Sequence, residues 1–209
     1  MTQVLLSSAY LPNIWYFSKV FNYDFTLVEQ WSFYEKQTYF NRCTIATANG
    51  RMDLSIPVEK AVGKQCVNDV RVSHHNNWQQ LHWRAIKSAY NSAPFFEYYE
   101  DDFAPFYEKK YQFLLDFNME LTRLIMTLLD IKTKVQLTEK YIDFHANDFR
   151  EMIHPKKLSC VDKDFFDISY YQVFKQRNGF IPNLSVVDLL FNMGNESRIV
   201  LRDTFPVMR

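Results

Sequence analysis

The stretch QVLLSSAYLPNIWYFSKVFNYDFTLV, residues 3–28, decides the fold of this chain. Residues 3–8 and 25–28 are short, apolar segments that predict two strands. Pro12 and Asn13 lie between them and predict the start of an amphipathic helix that ends near Asn22. A strand, a helix and a strand within about thirty residues predict a βαβ unit with a parallel pair of strands.

A β-hairpin is predicted at residues 44–58, TIATANGRMDLSIPV. Apolar and polar residues alternate on both sides of Asn49-Gly50. This pair favours a type I′ turn, because both central residues of that turn need a positive φ. We therefore expect an antiparallel pair of strands joined at Asn49 and Gly50.

From residue 78 onward, apolar residues recur with the period of a helix. The pattern predicts one helix at about 77–92, which ends at Ala93-Pro94 because a residue before proline avoids the α region. A longer helix is predicted at about 105–130. The segment 132–178 has weaker patterns: a short strand in KVQLT (134–138), a short helix in DFREMI (148–153) and a strand in YYQVF (170–174).

The carboxy-terminal stretch GFIPNLSVVDLLFNMG, residues 179–194, predicts a helix with local start and stop signals. Ser185 is the predicted N-cap and Asp188 its capping-box partner, while Gly194 ends the helix. Contact with a ligand is the other interpretation of Ser185 and Asp188.

These elements predict one α/β domain over residues 1–209, with a small mixed, partly parallel sheet that includes an edge hairpin and is flanked by helices. A chain of this length buries one sizeable core. The 24 Lys and Arg residues balance 24 Asp and Glu residues, so no net positive field favours nucleic acid or an anionic membrane. Only four glycines occur and none are clustered, which excludes GxGxxG and P-loop phosphate sites.

Cysteine spacing bears on the compartment. Cys43, Cys66 and Cys160 form no CxxC motif and no paired spacing, which favours a reducing compartment. The amino terminus lacks a basic segment, and its apolar run is too short for a signal peptide or a membrane span. We therefore predict a cytoplasmic protein without membrane insertion.

Two helices each carry one polar residue on their apolar face. His82 lies in the same arc as Trp78 and Ile86, and Asn118 lies in the apolar face of the longer helix. Three interpretations of His82 remain open: a hydrogen-bonded core histidine, a general acid or base, and a metal ligand. No Cys, Asp or Glu stands at ligand spacing on that face, so no metal and no cofactor are predicted. We expect His82 to be buried and to share a polar network with Asn118 or Arg42.

Candidate binding residues follow the predicted strands. Asn13 lies where parallel α/β sheets collect ligands and where a helix amino terminus attracts anions, with a helix cap as the alternative. Lys36, Asn41 and Arg42 lie between the second strand and the hairpin. Arg and Lys can hold a nucleotide diphosphate, and the alternative is a salt bridge to the acids of EYYEDD, residues 97–102. Tyr90 and Asn118 complete the predicted substrate-binding set.

The acids Glu97, Glu100, Asp101 and Asp102 form a cluster in the sequence. Glycosidases use two carboxylates across a sugar, which makes the cluster a candidate for that chemistry. A loop of consecutive acids is more often a solvated surface. We adopt the solvated loop and do not predict a glycosidase.

Several of these stretches together resemble the WbqC-like family, bacterial proteins often encoded among genes for O-antigen and other surface polysaccharides. The resemblance runs from about residue 4 to residue 197. It is carried by YLPNIWYFSKV (10–20), FNR (40–42), NGRMDLSIPV (49–58), HWRAIKSAYNSAPFFEYY (82–99), DFN (116–118) and FIPNLSVVDLLFNMG (180–194). Many members begin with a segment like HQPNYLPW, and Leu6 and Ser8 stand at the positions of its first His and Pro.

The resemblance implies an enzyme that modifies or assembles activated sugars. The predicted function is an intracellular enzyme of surface-polysaccharide or nucleotide-sugar metabolism, with acyl or aminoacyl transfer to a nucleotide-linked sugar as one reaction type. His82 would be the acid or base, and Arg42 and Lys36 would hold anionic groups of this small-molecule substrate. The alternative is a non-catalytic binding or assembly module that uses the aromatics of PFFEYYEDDF (94–103) as a protein interface. A nucleotidyltransferase is the weakest alternative, because the HxGH pair is absent. The oligomeric state is not predicted.

Overall fold

The computed structural model describes residues 1–60, 63–155 and 162–205. Cys160 therefore lies outside the described residues. The strands are β1 (Gln3–Ser7), β2 (Phe25–Glu29), β3 (Arg42–Thr47), β4 (Gly50–Ser55) and β5 (Lys134–Leu137). The helices are α1 (Ile14–Asn22), α2 (Trp78–Tyr90), α3 (Phe96–Glu108), α4 (Leu114–Leu128), α5 (Lys175–Asn178), α6 (Val186–Met193) and α7 (Ser197–Asp203).

A three-stranded parallel sheet in the order β1-β2-β5 organises the domain. β1 and β2 pair in parallel, with Leu5 opposite Leu27, and α1 connects them. The predicted βαβ unit is thereby confirmed. β5 adds to the other side of β2, with Thr26 opposite Val135. Val4 and Leu5, successive residues on opposite faces of β1, are both fully buried, as expected for a parallel strand covered on both sides.

The hairpin forms, but its turn differs from the prediction. β3 and β4 pair antiparallel, and the pairing of Thr47 with Gly50 leaves Ala48 and Asn49 as the loop. Gly50 has φ +96° whereas Asn49 does not have a positive φ, so the predicted type I′ turn with both residues left-handed is wrong. The two strands form their own two-stranded sheet beside the parallel one.

α2 lies where it was predicted, while the long helix predicted at 105–130 is two helices. The chain between α3 and α4 pairs with an earlier segment: Val72 N donates to the Gln112 carbonyl and Leu114 N to the Val70 carbonyl. These tertiary hydrogen bonds replace the helical ones and break the helix. The acid cluster lies on α3 rather than in a loop, and its residues Glu97, Asp101 and Asp102 face solvent.

In the segment 132–178 the structure agrees with the predicted elements only in part. β5 confirms the strand predicted at 134–138. The helix predicted at 148–153 is wrong, because Phe149 N and the Asn147 carbonyl hydrogen-bond the main chain of Leu5 and place this segment against β1. The strand predicted at 170–174 is also wrong: the side chains of Tyr170 and Gln172 turn inward to Asp188 instead of extending a sheet.

α6 begins at its predicted cap and ends at its predicted glycine. The Ser185 hydroxyl accepts from Val187 N. Asp188 is not a capping-box partner, since its carboxylate is fully buried and accepts from side chains. Gly194 has φ +54°, and a Cβ there would lie 2.7 Å from the Phe95 ring, so this close approach also requires glycine. Among the described residues, no helix combines the length and apolarity needed to span a membrane.

Candidate functional site

A cleft opens at the carboxyl end of β1, beside the first turn of α1. Its walls come from residues 6–9 and 38–40 and from Pro12, Asn13, Tyr16, Phe149, Arg150, Ile153 and His154. We call it the strand-end cleft. It encloses about 410 Å³ including the space open to solvent, but only about 30 Å³ admits the centre of a water molecule. The interior is therefore narrow and has room for one small group of a larger ligand.

Asn13 caps α1 and leaves one end of its side chain unused. Its Oδ1 accepts from Tyr16 N at 2.9 Å, which fixes the orientation of the amide and makes Nδ2 the free end. Nδ2 is buried and has no hydrogen-bond partner among the described residues. The neighbouring main-chain donors are engaged, since Ile14 N donates to the Leu184 carbonyl and Trp15 N to Asn183 Oδ1. The amide of Asn13, rather than the backbone of the helix, is thus the donor that this helix end offers to the cleft.

Ser8 is a second donor whose orientation follows from its partner. Asn118 Nδ2 donates to the Phe40 carbonyl at 2.8 Å, and a carbonyl oxygen only accepts. The same Nδ2 donates to Ser8 Oγ at 3.0 Å. The hydroxyl hydrogen of Ser8 is then available to an acceptor in the cleft, and no described residue accepts it. Asn118 lies behind the cleft and positions Ser8.

Arg150 lines the cleft with its charge already balanced. Its guanidinium contacts Asp148 at 2.6 Å and Glu29 at 3.4 Å, and the Glu29 side chain is fully buried at the end of β2. Hydrogen bonding to Asp148 raises the pKa of Arg150. Because two carboxylates compensate this cation, it anchors the segment 147–153 against the sheet rather than presenting a free charge to a ligand.

Tyr39 and His154 complete the polar lining of the cleft. Burial raises the pKa of the Tyr39 phenol, and the nearby Asn13 side chain opposes part of that rise. Asn13 Nδ2 nevertheless makes no hydrogen bond to this phenol. His154 Nε2 lies 3.3 Å from Glu35 Oε2. An imidazole beside a carboxylate is an arrangement suited to proton transfer.

His82 is buried, as predicted, but does not line the strand-end cleft. Its side chain is 6% exposed, and its Nδ1 lies 3.0 Å from the Tyr10 hydroxyl. Burial lowers the pKa of His82 to about 4, partly offset by a hydrogen bond to the Ser55 main chain. Asn118 bonds to Ser8 and Phe40, so the two inward polar residues have separate direct partners.

The other predicted binding residues are dispersed. Arg42 reaches across the hairpin to Asp53 at 3.3 Å and Ser55 at 3.1 Å, so its salt bridge is within the hairpin rather than to EYYEDD. Asn41 Nδ2 donates to the Ile56 carbonyl at 2.7 Å. Lys36 is exposed and follows Glu35, the partner of His154.

Tyr90 belongs to a buried cluster around Asp188. The Tyr90 hydroxyl donates to Asp188 Oδ1 at 2.8 Å, while Tyr170 and Gln172 donate to Oδ2 at 2.6 and 3.1 Å. Burial raises the pKa of Asp188 to about 6 against the effect of these hydrogen bonds. The cluster joins α2 to α6 inside the core.

A model of the WbqC-like protein family matches residues 7–157. The chain belongs to this family. An uncharacterised protein of Mycobacterium tuberculosis is 28% identical over 223 residues, which cover 95% of this chain and 96% of that protein. No solved structure matches the chain. The matched range contains every residue that lines the strand-end cleft except Leu6.

Sequence reasoning found Asn13 but missed Ser8, Tyr39, Arg150 and His154. The last two lie within and just after the segment 148–153, whose weak pattern predicted a helix that does not form, and main-chain hydrogen bonds to Leu5 bring this segment to β1. The described part of the chain contains no group of three or more His, Cys, Asp or Glu that could hold a metal ion.

Proposed function

We propose that this protein is an intracellular enzyme that transfers an acyl or aminoacyl group to a nucleotide-linked sugar, as its family resemblance implies. The observation that carries the proposal is that the strand-end cleft is lined both by Asn13, whose Nδ2 is unpartnered, and by Ser8, whose hydroxyl is oriented by Asn118. In this reaction an amine or hydroxyl of the sugar attacks the carbonyl carbon of an activated acyl donor, and negative charge develops on the carbonyl oxygen. The bond to the donor's leaving group then breaks, and this group departs with the proton that the attacking group has lost. Fixed donors in a narrow site stabilise the charge on the oxygen. The two side chains would bind this oxygen in the strand-end cleft.

The remaining roles follow from position. His154, oriented by Glu35, takes the proton of the attacking group, because it is the imidazole that lines the cleft. Contact between Lys36 and a diphosphate stays a prediction, since Lys36 does not line the strand-end cleft. His82 is neutral at pH 7 and its Nδ1 is engaged by Tyr10, so we assign it a structural role. Asn13 Nδ2 is sealed from solvent, so the ligand enters by displacing side chains of the cleft wall.

Asn13→Asp tests the proposal directly. An aspartate retains the acceptor that caps Tyr16 N, but it replaces the Nδ2 donor by a carboxylate oxygen. We expect a loss of about 1–3 kcal/mol in binding, roughly five- to 150-fold, for UDP-sugars measured by calorimetry. Thermal stability should stay close to that of the unchanged protein.

Asn183→Asp is the matched control. Asn183 Oδ1 accepts from Trp15 N at the same helix end, but Asn183 does not line the cleft. This variant adds the same charge near the helix and should bind UDP-sugars as the unchanged protein does. Equal binding by both variants, or no binding of any UDP-sugar by the unchanged protein, would overturn the proposal.

A further inference from the structure

A second and larger cleft lies between the amino-terminal end of α2 and the carboxy-terminal end of α3. The space that admits the centre of a water molecule is about 500 Å³, against about 30 Å³ in the strand-end cleft, and is within the range of small-molecule sites. We call it the amide cleft, because Asn76, Asn77, Gln79 and Gln80 follow one another along its wall. One acid and one lysine, Glu108 and Lys110, also line it, so its ionised groups balance.

The side chains of this wall alternate between amides and aromatic rings. Trp83 is half-buried and stacks on Tyr107 with ring centroids 5.3 Å apart and planes inclined by 18°. Gln79 Nε2 donates to the carbonyls of Phe106 and Lys109, which turns its Oε1 into a fixed acceptor. Asn76, Asn77 and Gln80 are exposed and can both donate and accept. Such a surface matches a ligand with many neutral hydroxyl groups and an apolar face.

Trp78 provides the independent observation that a ligand group is missing. It is 3% exposed and lines the amide cleft, yet its Nε1 has no hydrogen-bond partner among the described residues. Two other tryptophans satisfy the same atom: Trp15 Nε1 donates to Asp162 at 2.7 Å and Trp31 Nε1 to the Thr138 carbonyl at 3.0 Å. A buried donor without an acceptor is costly. Trp78 Nε1 is sealed from solvent, so a ligand hydroxyl oxygen would remove that cost by displacing a side chain of the cleft wall.

We infer that the amide cleft binds a neutral sugar ring. The ring lies against Trp83, its hydroxyl groups exchange hydrogen bonds with the amides, and one oxygen accepts from Trp78 Nε1. The balanced charge of the cleft argues against an anionic ligand, and its amides argue against a purely apolar one. This site is separate from the strand-end cleft and does not depend on the reaction proposed there.

The four tryptophans make the test internally controlled. In protein with ¹⁵N-labelled indoles, each Nε1–H gives one NMR signal, and single Trp→Phe variants assign them. D-glucose, D-galactose and N-acetyl-D-glucosamine are titrated separately to millimolar concentrations. We expect at least one sugar to shift the Trp78 and Trp83 signals in a saturable way while the Trp15 and Trp31 signals stay in place. Signals that do not move with any of the three sugars, or that all move together, would overturn the inference.

A pair of variants tests the amides. Gln80→Ala should weaken the sugar roughly fivefold, the equivalent of one hydrogen bond. Gln176→Ala removes an equally exposed glutamine on α5 and should leave the affinity unchanged. Asn13→Asp should also leave these shifts unchanged, which separates this site from the strand-end cleft. Equal affinities of the Gln80 and Gln176 variants would contradict the role of the amide wall.

Discussion

The Tyr10 hydroxyl lies 3.0 Å from His82 Nδ1 and 3.0 Å from the Tyr107 hydroxyl, at the centre of a buried polar chain. Since the pKa of His82 is lowered to about 4, the imidazole is neutral at pH 7. The Tyr10 hydroxyl carries one hydrogen, so it can donate to only one of these two partners at a time. The three side chains therefore form one connected buried network.

Tyr10→Phe should lower the free energy of unfolding by about 1–3 kcal/mol, because it leaves Nδ1 of His82 buried without its hydrogen-bond partner. Urea denaturation measures this difference. Tyr98→Phe is the control, since Tyr98 is 80% exposed and its hydroxyl is solvated. If both variants have the same stability as the unchanged protein, the hydrogen bond to His82 has no energetic role.

His82 and Asp188 should give opposite dependences of stability on pH. The pKa of His82 in the folded protein, about 4, lies below its ordinary 6.5. The stability that the neutral imidazole contributes is therefore fully present above pH 6.5 and is lost as the pH falls toward 4. The pKa of Asp188 in the folded protein, about 6, lies above its ordinary 3.8. The stability that the protonated carboxyl contributes is therefore fully present below pH 3.8 and is lost as the pH rises through 6. Between pH 4 and 6 the two slopes largely cancel.

Single variants should reveal each slope. In His82→Gln, the free energy of unfolding should decrease as the pH rises from 4 to 6, and in Asp188→Asn it should increase. The limiting slope is about 1.4 kcal/mol per pH unit for one proton. Urea denaturation at several pH values measures both. Parallel curves for the two variants would show that at least one pKa is not shifted as described.

Gly50→Val should destabilise the hairpin, whereas Asn49→Ala should not. A valine at φ +96° is strained by about 1–3 kcal/mol, although a Cβ at this position meets no neighbouring atom. Asn49 has no positive φ, so its loss should change stability by less than about 0.5 kcal/mol. Thermal denaturation compares the two variants. A larger effect at Asn49 would restore the type I′ turn.

Purified protein should contain no stoichiometric zinc. Among the described residues, no group of three or more His, Cys, Asp or Glu could hold the ion. Elemental analysis after dialysis against metal-free buffer measures the content. About one zinc per chain would contradict this assignment of the histidines.

Signals from residues close together in the sequence predicted the elements that such residues determine. The βαβ unit, the hairpin, α2 and the cap at Ser185 all follow from periodicity or from the residues at a helix end. α3 also carried such a signal, since its buried residues Phe96, Tyr99, Phe103 and Tyr107 have helical spacing. The prediction missed it because the consecutive acids between them were interpreted as a loop.

The candidate site was predicted only at Asn13, for a physical reason. Asn13 adjoins β1 in sequence, whereas Arg150 and His154 reach β1 through main-chain hydrogen bonds between residues 147–149 and Leu5. Such contacts leave no periodicity in the sequence. Arg42 was predicted to bind anions, but its cross-strand neighbours Asp53 and Ser55 depend on a register that composition alone does not reveal.

The central position of β2 has a consequence during synthesis on the ribosome. Gln30 and Thr138, which hydrogen-bond where β2 and β5 end, are 108 positions apart. At about 5–20 residues per second, several seconds pass between the emergence of these two segments. During that time one edge of β2, with the apolar side chain of Val28, has no strand to pair with. The nascent chain therefore exposes an open strand edge that favours aggregation or recruits a chaperone until residue 137 has left the exit tunnel.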